Sequence, residues 1–340
     1  MKRVIYFFSI AFVLLFAVLI LANPKIGVNA VSNGLVLCAR VIIPSLYPFT
    51  FCVLFILNSG ILNAFRFLDR FTIKAFNLPF ELFLIFVLSL IGGYPLGAKL
   101  INDTVTDKAT ARTMLNFCVN AGPAFIITAV GSNIFASPKI GVLLFTAHII
   151  PSFILLLLFR KKLNFTEHPS QRHIPLADNF VISATSAASA LINICAFCLL
   201  FSIICAYANT CAILKPLSTL LEVTNGVYAT RNLLLISFLL GFGGICVWCQ
   251  VISVCKNAKP NILKFAICRI FHGTVSLAIS YLGIKLFAIN VPTVSNGQSF
   301  SYSPFTDTAC VGVSLIIMGI VLIISLKNKN YAGNMLEDIV

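Results

Sequence analysis

Long apolar runs, separated by short basic loops, fill most of this chain. The run from Ile140 to Phe159 contains no Asp, Glu, Lys or Arg. About 20 apolar residues in a helix cross a hydrocarbon core about 30 Å thick, and lipid offers no partner for unpaired backbone N–H and C=O groups. With 59% hydrophobic and only 10% charged residues, the chain is predicted to be an all-α, multi-pass integral membrane protein.

The strong positive charge does not indicate nucleic-acid binding. The formal charge is +14, but the Lys and Arg residues lie scattered in loops between apolar runs instead of forming one basic face. This distribution is typical of a membrane protein that keeps its basic loops in the cytoplasm. We therefore expect the lipid bilayer as a partner and no nucleic acid; a homo-oligomer stays open.

Most of the 12 cysteines lie within apolar stretches, where cysteine packs as a small hydrophobic residue. Two C-x-x-C spacings occur, Cys195 to Cys198 and Cys246 to Cys249, and such spacing can indicate a metal or redox site. Neither has a histidine nearby or a soluble βαβ context. We therefore predict a packing role, with no metal and no cofactor.

The apolar pattern predicts about nine membrane-embedded segments, hairpins included. Residues 1–25 are expected to form an uncleaved first transmembrane helix, 26–162 a first repeat, 163–179 a polar linker and 180–340 a second repeat. The last span is predicted at Ala309 to Leu326.

Two of the apolar segments are interrupted near their middle by glycine and proline. Glu81 to Lys99 is broken around Gly92 and Gly93, and Thr113 to Gly131 is broken around Asn120. The loops flanking the first segment are both basic or mixed in charge, so this segment is predicted to be a re-entrant hairpin or half-helix.

A second Gly-Gly pair points to an internal repeat. Aligning Gly92 and Gly93 on Gly243 and Gly244 suggests two copies related by inversion, each with a Gly-interrupted half-helix or hairpin. Interrupted helices in corresponding positions predict a transporter's substrate site at mid-membrane. The alternative is that the glycines only allow close helix packing.

The ionisable residues within or beside apolar segments are mainly cationic, whereas all ten acids lie in or beside loops. Such intramembrane residues are costly and are functional by default, so an anionic substrate is predicted. Lys99 and Arg112 could instead extend to the cytoplasmic interface, and His148 is expected to be a packing residue. Asn116, Asn120 and Gln250 could bind the substrate or join helices.

The predicted substrate site has twelve members, and the chain is not expected to be an enzyme because it shows no nucleophile, base and metal constellation. These members are Gly92, Gly93, Tyr94, Pro95, Lys99, Asn116, Asn120, Gly243, Gly244, Gln250, Arg269 and His272.

Three motifs carry a family resemblance. They are GGYPLGAK at Gly92 to Lys99, NFCVNAGPAFIITAVG at Asn116 to Gly131, and GFGGICVWCQVIS at Gly241 to Ser253. With them the chain resembles the YlbJ sporulation integral membrane family. The resemblance implies a nucleoside-recognition "gate" domain in each repeat, a place in the outer forespore membrane, and passage of dipicolinate during endospore formation.

Three functional interpretations follow. The first is a transporter for a small anionic solute, and the second is a nucleoside-type transporter. Nucleoside transporters use acidic side chains to bind ribose hydroxyls, and neither broken segment contains one, which favours the anion. The third is a membrane scaffold for spore assembly that transports nothing.

Charge and symmetry disagree about the C-terminus. Strict inversion would make the second Gly-Gly segment a hairpin from outside and leave the C-terminus outside. Lys256, Lys259, Lys264, Lys327 and Lys329 favour a cytoplasmic C-terminus instead.

Overall fold

A computed structural model describes residues 2–163 and 174–289, and within these ranges all regular secondary structure is helical. Five of the described helices are long and apolar enough to cross a membrane, or six if one bent pair counts as a span. The helical membrane class is thus confirmed, but the number nine is not. The predicted span Ala309 to Leu326 and most of the polar linker lie outside the described residues.

The described residues form fourteen α-helices. These are α1 (Lys2–Ala22), α2 (Pro24–Leu37), α3 (Ile43–Asn58), α4 (Asp69–Phe76), α5 (Phe80–Gly92), α6 (Tyr94–Thr104), α7 (Lys108–Met114), α8 (Pro138–Phe159), α9 (Leu176–Ala208), α10 (Lys215–Leu221), α11 (Val223–Ala229), α12 (Leu233–Phe242), α13 (Gly244–Val254) and α14 (Ile262–Leu286).

Helices α2 and α3 run on as one span, Pro24–Asn58, through a π-helical turn at Cys38–Ile42. Pro44 lacks the N–H that an α-helix needs, and a local π-turn absorbs such a defect. The hydroxyl of Ser45 donates to the carbonyl oxygen of Ile42 at 3.2 Å. Pro44, and Pro48 within α3, therefore leave the span intact.

This long span packs antiparallel to α9. Tyr207 Oη donates to the Asn23 carbonyl at one end, and Asn179 Nδ2 donates to the Phe55 carbonyl at the other. Because α9 has 33 residues and a helix rises about 1.5 Å per residue, its ends lie on opposite faces of the bundle.

The first hairpin consists of α5 and α6, joined at Gly93. The φ of Gly93 is +87°, a conformation that favours glycine. A Cβ added at Gly97 would lie 2.7 Å from Ser89 Cβ, so α6 folds back along the last turns of α5. Asn77, just before α5, donates to the Leu163 carbonyl, which places the hairpin base on the face where α8 ends.

The second hairpin consists of α10 and α11, which meet at Glu222. A Cβ added at Gly226 would lie 2.3 Å from the Thr219 carbonyl oxygen, so the two arms are again in close contact. Ser218 donates to Asn209, at the end of α9. The second hairpin therefore enters from the face opposite the first.

A broken span follows each hairpin. Residues 115–122 interrupt the first, between α7 and the π-helix Ala124–Ser132, and Gly243 interrupts the second, between α12 and α13. Both begin with a side-chain N-cap: Asp107 accepts from Thr110 N at 2.7 Å, and Asn232 accepts from Leu234 N at 3.0 Å. Hydrogen bonds from Thr110 lower the pKa of Asp107.

Each broken span leads to a continuous helix, α8 in the first half and α14 in the second. Ser137 caps α8 and Asn261 caps α14. His148 and His272 each stand ten residues after the first residue of their helix, and their rings face each other with centroids 4.5 Å apart. Because His272 contacts the His148 carbonyl while Gly283 lies against Leu143, the two helices run antiparallel.

The order long span, hairpin, broken span and continuous helix thus occurs twice, in opposite orientations. The alignment of Gly92 and Gly93 on Gly243 and Gly244 is therefore wrong: the first pair turns a hairpin, whereas Leu233–Val254 runs on as a single span. The hairpin of the second half is centred on Glu222, which the glycine pattern does not reveal. The division into residues 26–162 and 180–340 stays a prediction.

With this correspondence, charge and symmetry agree for the loop after α13, and the side of the C-terminus stays a prediction. Asn257 N donates to Asn102 Oδ1 at 3.0 Å, so the loops after α6 and α13 share one face. That face also carries Arg160, Lys161 and Lys162 and is the cytoplasmic one by the basic-loop rule. Residue 290 onward, which includes the C-terminus, lies outside the described part of the chain.

Candidate substrate site

The tips of the two hairpins meet at a small cavity within the bundle. Its volume is about 50 Å³, and by the same measure a water molecule needs roughly 10–15 Å³. The lining residues are Ile42, Ser45, Leu46, Gly93, Tyr94, Pro95, Ala121, Gly122, Phe125, Ile194, Cys198, Glu222, Val223, Thr224, Val247 and Gln250. This conformation therefore holds a few waters or an ion, and a larger solute needs the hairpins to move apart.

Tyr94 links the first hairpin tip to the second broken span. Its hydroxyl donates to the Leu240 carbonyl at 2.6 Å, and its ring lies 3.5 Å from the position of a Cβ at Gly243. Gly244 lies against the backbone of Val223, at the tip of the second hairpin. Gly243 and Gly244 thus allow both hairpin tips to approach the second break.

Glu222 brings a carboxylate into this cavity. The residue is 1% exposed, and its two oxygens accept hydrogen bonds from Thr224 N at 3.1 Å and Asn225 N at 2.6 Å. It therefore caps α11 and faces the cavity at the same time. The prediction that the membrane interior carries no acid is wrong at this residue.

Arg269 is fully buried behind the cavity wall. Its guanidinium donates to the carbonyls of Val119 and Asn116, the latter at 3.0 Å. These carbonyls lie in the break of the first broken span, where regular helix bonds are missing. Within the described residues no carboxylate pairs with it. A buried cation is costly without compensation, so this positive charge is a functional candidate.

Two histidines complete the cluster around Arg269. His272 Nε2 donates to the His148 carbonyl at 3.0 Å, so its Nδ1 is the acceptor for Arg269, 3.2 Å away. His148 Nε2 accepts from Ala121 N at 2.9 Å. Each ring thus uses one nitrogen as an acceptor, which makes both imidazoles neutral. The charge of the cluster belongs to Arg269 alone.

Asn120 connects this cluster to the first hairpin. Its Nδ2 donates to Ser89 Oγ at 3.1 Å and to the Phe117 carbonyl, while its Oδ1 accepts from Ser152 Oγ at 2.5 Å. Asn116 instead uses its amide to bond carbonyls of its own turn, at Arg112 and Thr113. Asn120 is therefore held in a network across three elements, whereas Asn116 closes a helix end.

The predicted site residues fall into three groups. Gly93, Tyr94, Pro95 and Gln250 line the cavity. Asn116, Asn120, Arg269 and His272 form the cluster behind Ala121 and Gly122. Gly92 packs against Leu96 at the turn of the first hairpin, and Gly243 and Gly244 pack at the second break.

Lys99 stands apart from all three groups. Its Nζ lies 2.9 Å from Asp103, and the ion pair is partly exposed at the cytoplasmic end of α6. It extends to the interface, the alternative that the sequence left open. Substrate binding by the other members stays a prediction.

A wider recess opens on each side of the centre. The cytoplasmic one, of about 550 Å³, is lined by Arg112, Lys259 and Lys264 and ends at Asn116, whose carbonyl binds Arg269. The opposite one, of about 480 Å³, is lined mainly by hydroxyl, amide and small apolar side chains between α2, α9 and the second hairpin. No acidic residue lines either recess in the described part of the chain.

Sequence reasoning missed three polar residues of this centre, Ser89, Ser152 and Glu222, and it assigned His148 to packing. One signal was available. Ser89 and Gly97 are eight residues apart, and so are Ser218 and Gly226. In each hairpin the serine hydroxyl donates to the carbonyl three residues earlier. This shared spacing marks the second hairpin, and hence Glu222, independently of any Gly-Gly pair.

Comparison with known proteins agrees with the membrane fold. The chain is similar to the sporulation integral membrane protein YlbJ of Bacillus subtilis (strain 168), at 22% identity over 321 residues, covering 77% of this chain and 79% of the relative. No protein-family model and no solved structure matches the chain. The resemblance to the YlbJ-type family is confirmed, and the chain is an integral membrane protein. The gate-domain assignment stays a prediction.

Proposed function

We propose that this protein is a transporter for a small anionic solute and works by alternating access around the two hairpin tips. The observation that carries the proposal is the meeting of two hairpins, inserted from opposite faces, at one central cavity. In transporters built from inverted repeats, substrate sites lie at the repeat interface near the bilayer midplane. The 50 Å³ cavity corresponds to a closed conformation, and the wider recesses on either side provide the two approaches.

The charge distribution supports an anion. Arg269 is a buried cation without a carboxylate partner among the described residues, and the cytoplasmic recess beside it carries three further cations and no acid. A cleft lined by one sign of charge concentrates ions of the opposite sign. An anion from the cytoplasm would therefore enter at Arg112, Lys259 and Lys264 and move toward Arg269.

Dipicolinate is the solute that we propose, in the setting of endospore formation and the outer forespore membrane. The relative's name places that protein in sporulation, and dipicolinate is a small aromatic dianion that fits a cationic path. Two carboxylates of one planar ring would need two positive or N–H-rich ends. Arg269 supplies one, and the helix start after Gly93 at the first hairpin tip supplies backbone N–H groups for the other.

The test is uptake of labelled dipicolinate into proteoliposomes, with uridine measured in parallel. We expect dipicolinate uptake by the wild type, a loss of at least about 100-fold in Arg269→Ala, and partial uptake in Arg269→Lys. Lys99→Ala, which removes a cation outside the site, should transport normally. Melting curves in detergent separate loss of transport from loss of folding.

One observation favours a second candidate, a nucleoside-type transporter. Glu222 is a buried carboxylate at a hairpin tip and lines the cavity, so it could accept hydrogen bonds from sugar hydroxyls. Uptake of uridine but not dipicolinate, abolished in Glu222→Gln, would establish this function instead. Uptake of neither solute by well-folded protein would favour the membrane scaffold.

A further inference from the structure

The two C-x-x-C sequences meet in the folded protein. Cys198 on α9 and Cys246 on α13 each come from one of them, and the carboxylate of Glu222 at the second hairpin tip completes a group of three. One ligand atom of each residue lies within 4.8 Å of the other two, and all three residues are buried. Cys195 and Cys249, the remaining members of the two sequences, are not part of this group.

The donor set and its dimensions fit a borderline-soft divalent cation. Zn²⁺ binds thiolate sulfur at about 2.3 Å and carboxylate oxygen at about 2.0–2.2 Å, so two ligands on a tetrahedral ion lie roughly 3.3–3.8 Å apart. The ligand atoms now lie within 4.8 Å of one another. Side-chain rotations that move each of these atoms by about 1 Å would bring them to the separations around a tetrahedral ion. Glu222 keeps lone pairs available beyond those used to cap α11.

Gln250 marks the centre of the group. Its Nε2 lies 3.4 Å from Cys246 Sγ and 3.8 Å from Cys198 Sγ, so the amide donor is shared by the two sulfurs. An electropositive group therefore already faces both sulfurs. A 180° flip of the amide would direct Oε1 to the same place as a fourth ligand.

We propose that Cys198, Cys246 and Glu222 form a binding site for a Zn²⁺-like divalent cation, with the fourth position taken by Gln250 Oε1 or a cavity water. Binding would release the thiol protons as the sulfurs become thiolates. The ion would join α9, α13 and the second hairpin tip and would hold the carboxylate as a ligand, while the net charge of the site stays at −1, because the two released protons offset the charge of the ion. The proposal concerns metal binding only and does not depend on which solute, if any, the protein transports.

The experiment uses the full-length protein, purified in detergent under reducing conditions, stripped with a chelator and titrated with Co²⁺ as a spectroscopic substitute for Zn²⁺. We expect one Co²⁺ per chain, with the intense near-ultraviolet absorption of thiolate coordination, and displacement by Zn²⁺. Cys198→Ser and Cys246→Ser should lose at least about 100-fold in affinity, since even outer-shell changes cost roughly 10–100-fold. Glu222→Gln should weaken binding and keep the thiolate absorption.

Cys195→Ser and Cys249→Ser are the matched controls, because each removes a thiol of the same C-x-x-C sequence that lies outside the group. Both should bind Co²⁺ like the wild type. Zn²⁺ should raise the melting temperature of the wild type and of these controls but not of Cys198→Ser. Metal-free melting temperatures identify any variant that fails to fold. Absence of Co²⁺ uptake by folded wild type, or equal uptake by all the cysteine variants, would overturn the proposal.

Discussion

The two hairpins reach the same cavity with different chemistry. The first has arms of 13 and 11 residues and turns at Gly93 with a φ of +87°. The second has arms of seven residues each and turns at Glu222, whose φ of −135° any residue adopts. The first tip therefore brings backbone and an aromatic ring, whereas the second brings a carboxylate. The two hairpins therefore share a topology and a Ser-to-Gly spacing but not the residue at the turn.

The two broken spans differ in the same way. In the first, Arg269 binds carbonyls that the break leaves without helix partners. In the second, the break is a single residue, Gly243, and the Tyr94 hydroxyl binds the Leu240 carbonyl beside it. The first break is thus held by a charge and the second by a neutral side chain. Substitutions in corresponding positions can measure how far the two halves are equivalent.

The largest effect is expected where the arms of each hairpin touch. A Cβ at Gly97 would lie 2.7 Å from Ser89 Cβ on the other arm and 1.8 Å from the Cys118 carbonyl oxygen in the neighbouring break, and one at Gly226 would lie 2.3 Å from the Thr219 carbonyl oxygen on the other arm. Backbone cannot easily shift, so Gly97→Ala and Gly226→Ala should each destabilise the protein by about 3 kcal/mol or more. Melting temperature in detergent measures this.

Gly243→Ala is the control for this comparison, because its Cβ would lie 3.5 Å from the nearest atom and only the positive φ opposes it. The substitution should lower the free energy of unfolding by about 1–2 kcal/mol. Normal melting of Gly226→Ala alone would show that the second hairpin is not closed in the way described.

Arg269→Lys tests how the first break is held. Lysine keeps the charge but cannot offer two donors in the planar geometry of a guanidinium. One buried carbonyl should lose its donor, at a cost of about 1–3 kcal/mol, seen as a lower melting temperature. The reverse exchange on the same helix, Lys264→Arg, should change melting little. Equal stability of wild type and Arg269→Lys would contradict the bidentate contact.

Tyr94→Phe is the corresponding test of the second break. The ring stays in place against Gly243, and only the hydrogen bond to the Leu240 carbonyl is removed. We expect a cost of about 1 kcal/mol, smaller than that of Arg269→Lys because no charge is involved. Tyr47→Phe, on α3, serves as a second buried tyrosine for comparison. A larger loss for Tyr94→Phe than for Arg269→Lys would reverse the order proposed for the two breaks.

The sharpest contrast, which includes the smallest expected effect at Ser276, concerns two serines in corresponding positions of α8 and α14. Ser152 donates to Asn120, whereas the buried hydroxyl of Ser276 has no hydrogen-bond partner among the described residues. Ser152→Ala should cost about 1–2 kcal/mol because it leaves Asn120 Oδ1 unpaired, whereas Ser276→Ala should be neutral or slightly stabilising. Melting curves of the two variants, measured side by side, test this difference. Equal losses of melting temperature would argue against different hydrogen bonding of the two serines.

The membrane class and the first hairpin follow from the sequence, because apolar length and a Gly-Gly-x-Pro break in Glu81 to Lys99 depend on local chemistry. Arg269 and His272 also stand out, since an intramembrane ionisable residue is rare. The second hairpin does not stand out in this way. Its turn uses ordinary dihedral angles, and its short arms are too polar to resemble a membrane segment.

Glu222 and the cysteines show a further limit of prediction from the sequence. A loop acid becomes a buried acid only when the hairpin that carries it is inserted into the bundle. Likewise, Cys198 and Cys246 are 48 residues apart in the sequence, and only the packing of α9 against α13 brings their sulfurs together. The Ser-to-Gly spacing shared by the two hairpins marks the turn that carries Glu222, but no local spacing predicts its burial beside the two sulfurs. Motifs alone therefore assign Glu222 to a loop and the cysteines to packing.

The central claim is that the two hairpins enter from opposite faces, and the accessibility of their bases tests it most directly. Cys211 lies at the base of the second hairpin, and Asp103→Cys would place a thiol at the base of the first. Cys211 is labelled in Cys310→Ser, and Asp103→Cys is labelled in a protein that also carries Cys211→Ser and Cys310→Ser. The protein with Cys211→Ser and Cys310→Ser alone is the control, and a charged, membrane-impermeant maleimide should not label it. In sealed right-side-out vesicles Cys211 should be labelled, and Asp103→Cys only after permeabilisation. Labelling of both thiols from the same side would contradict the inverted arrangement and, with it, the proposed site between the tips.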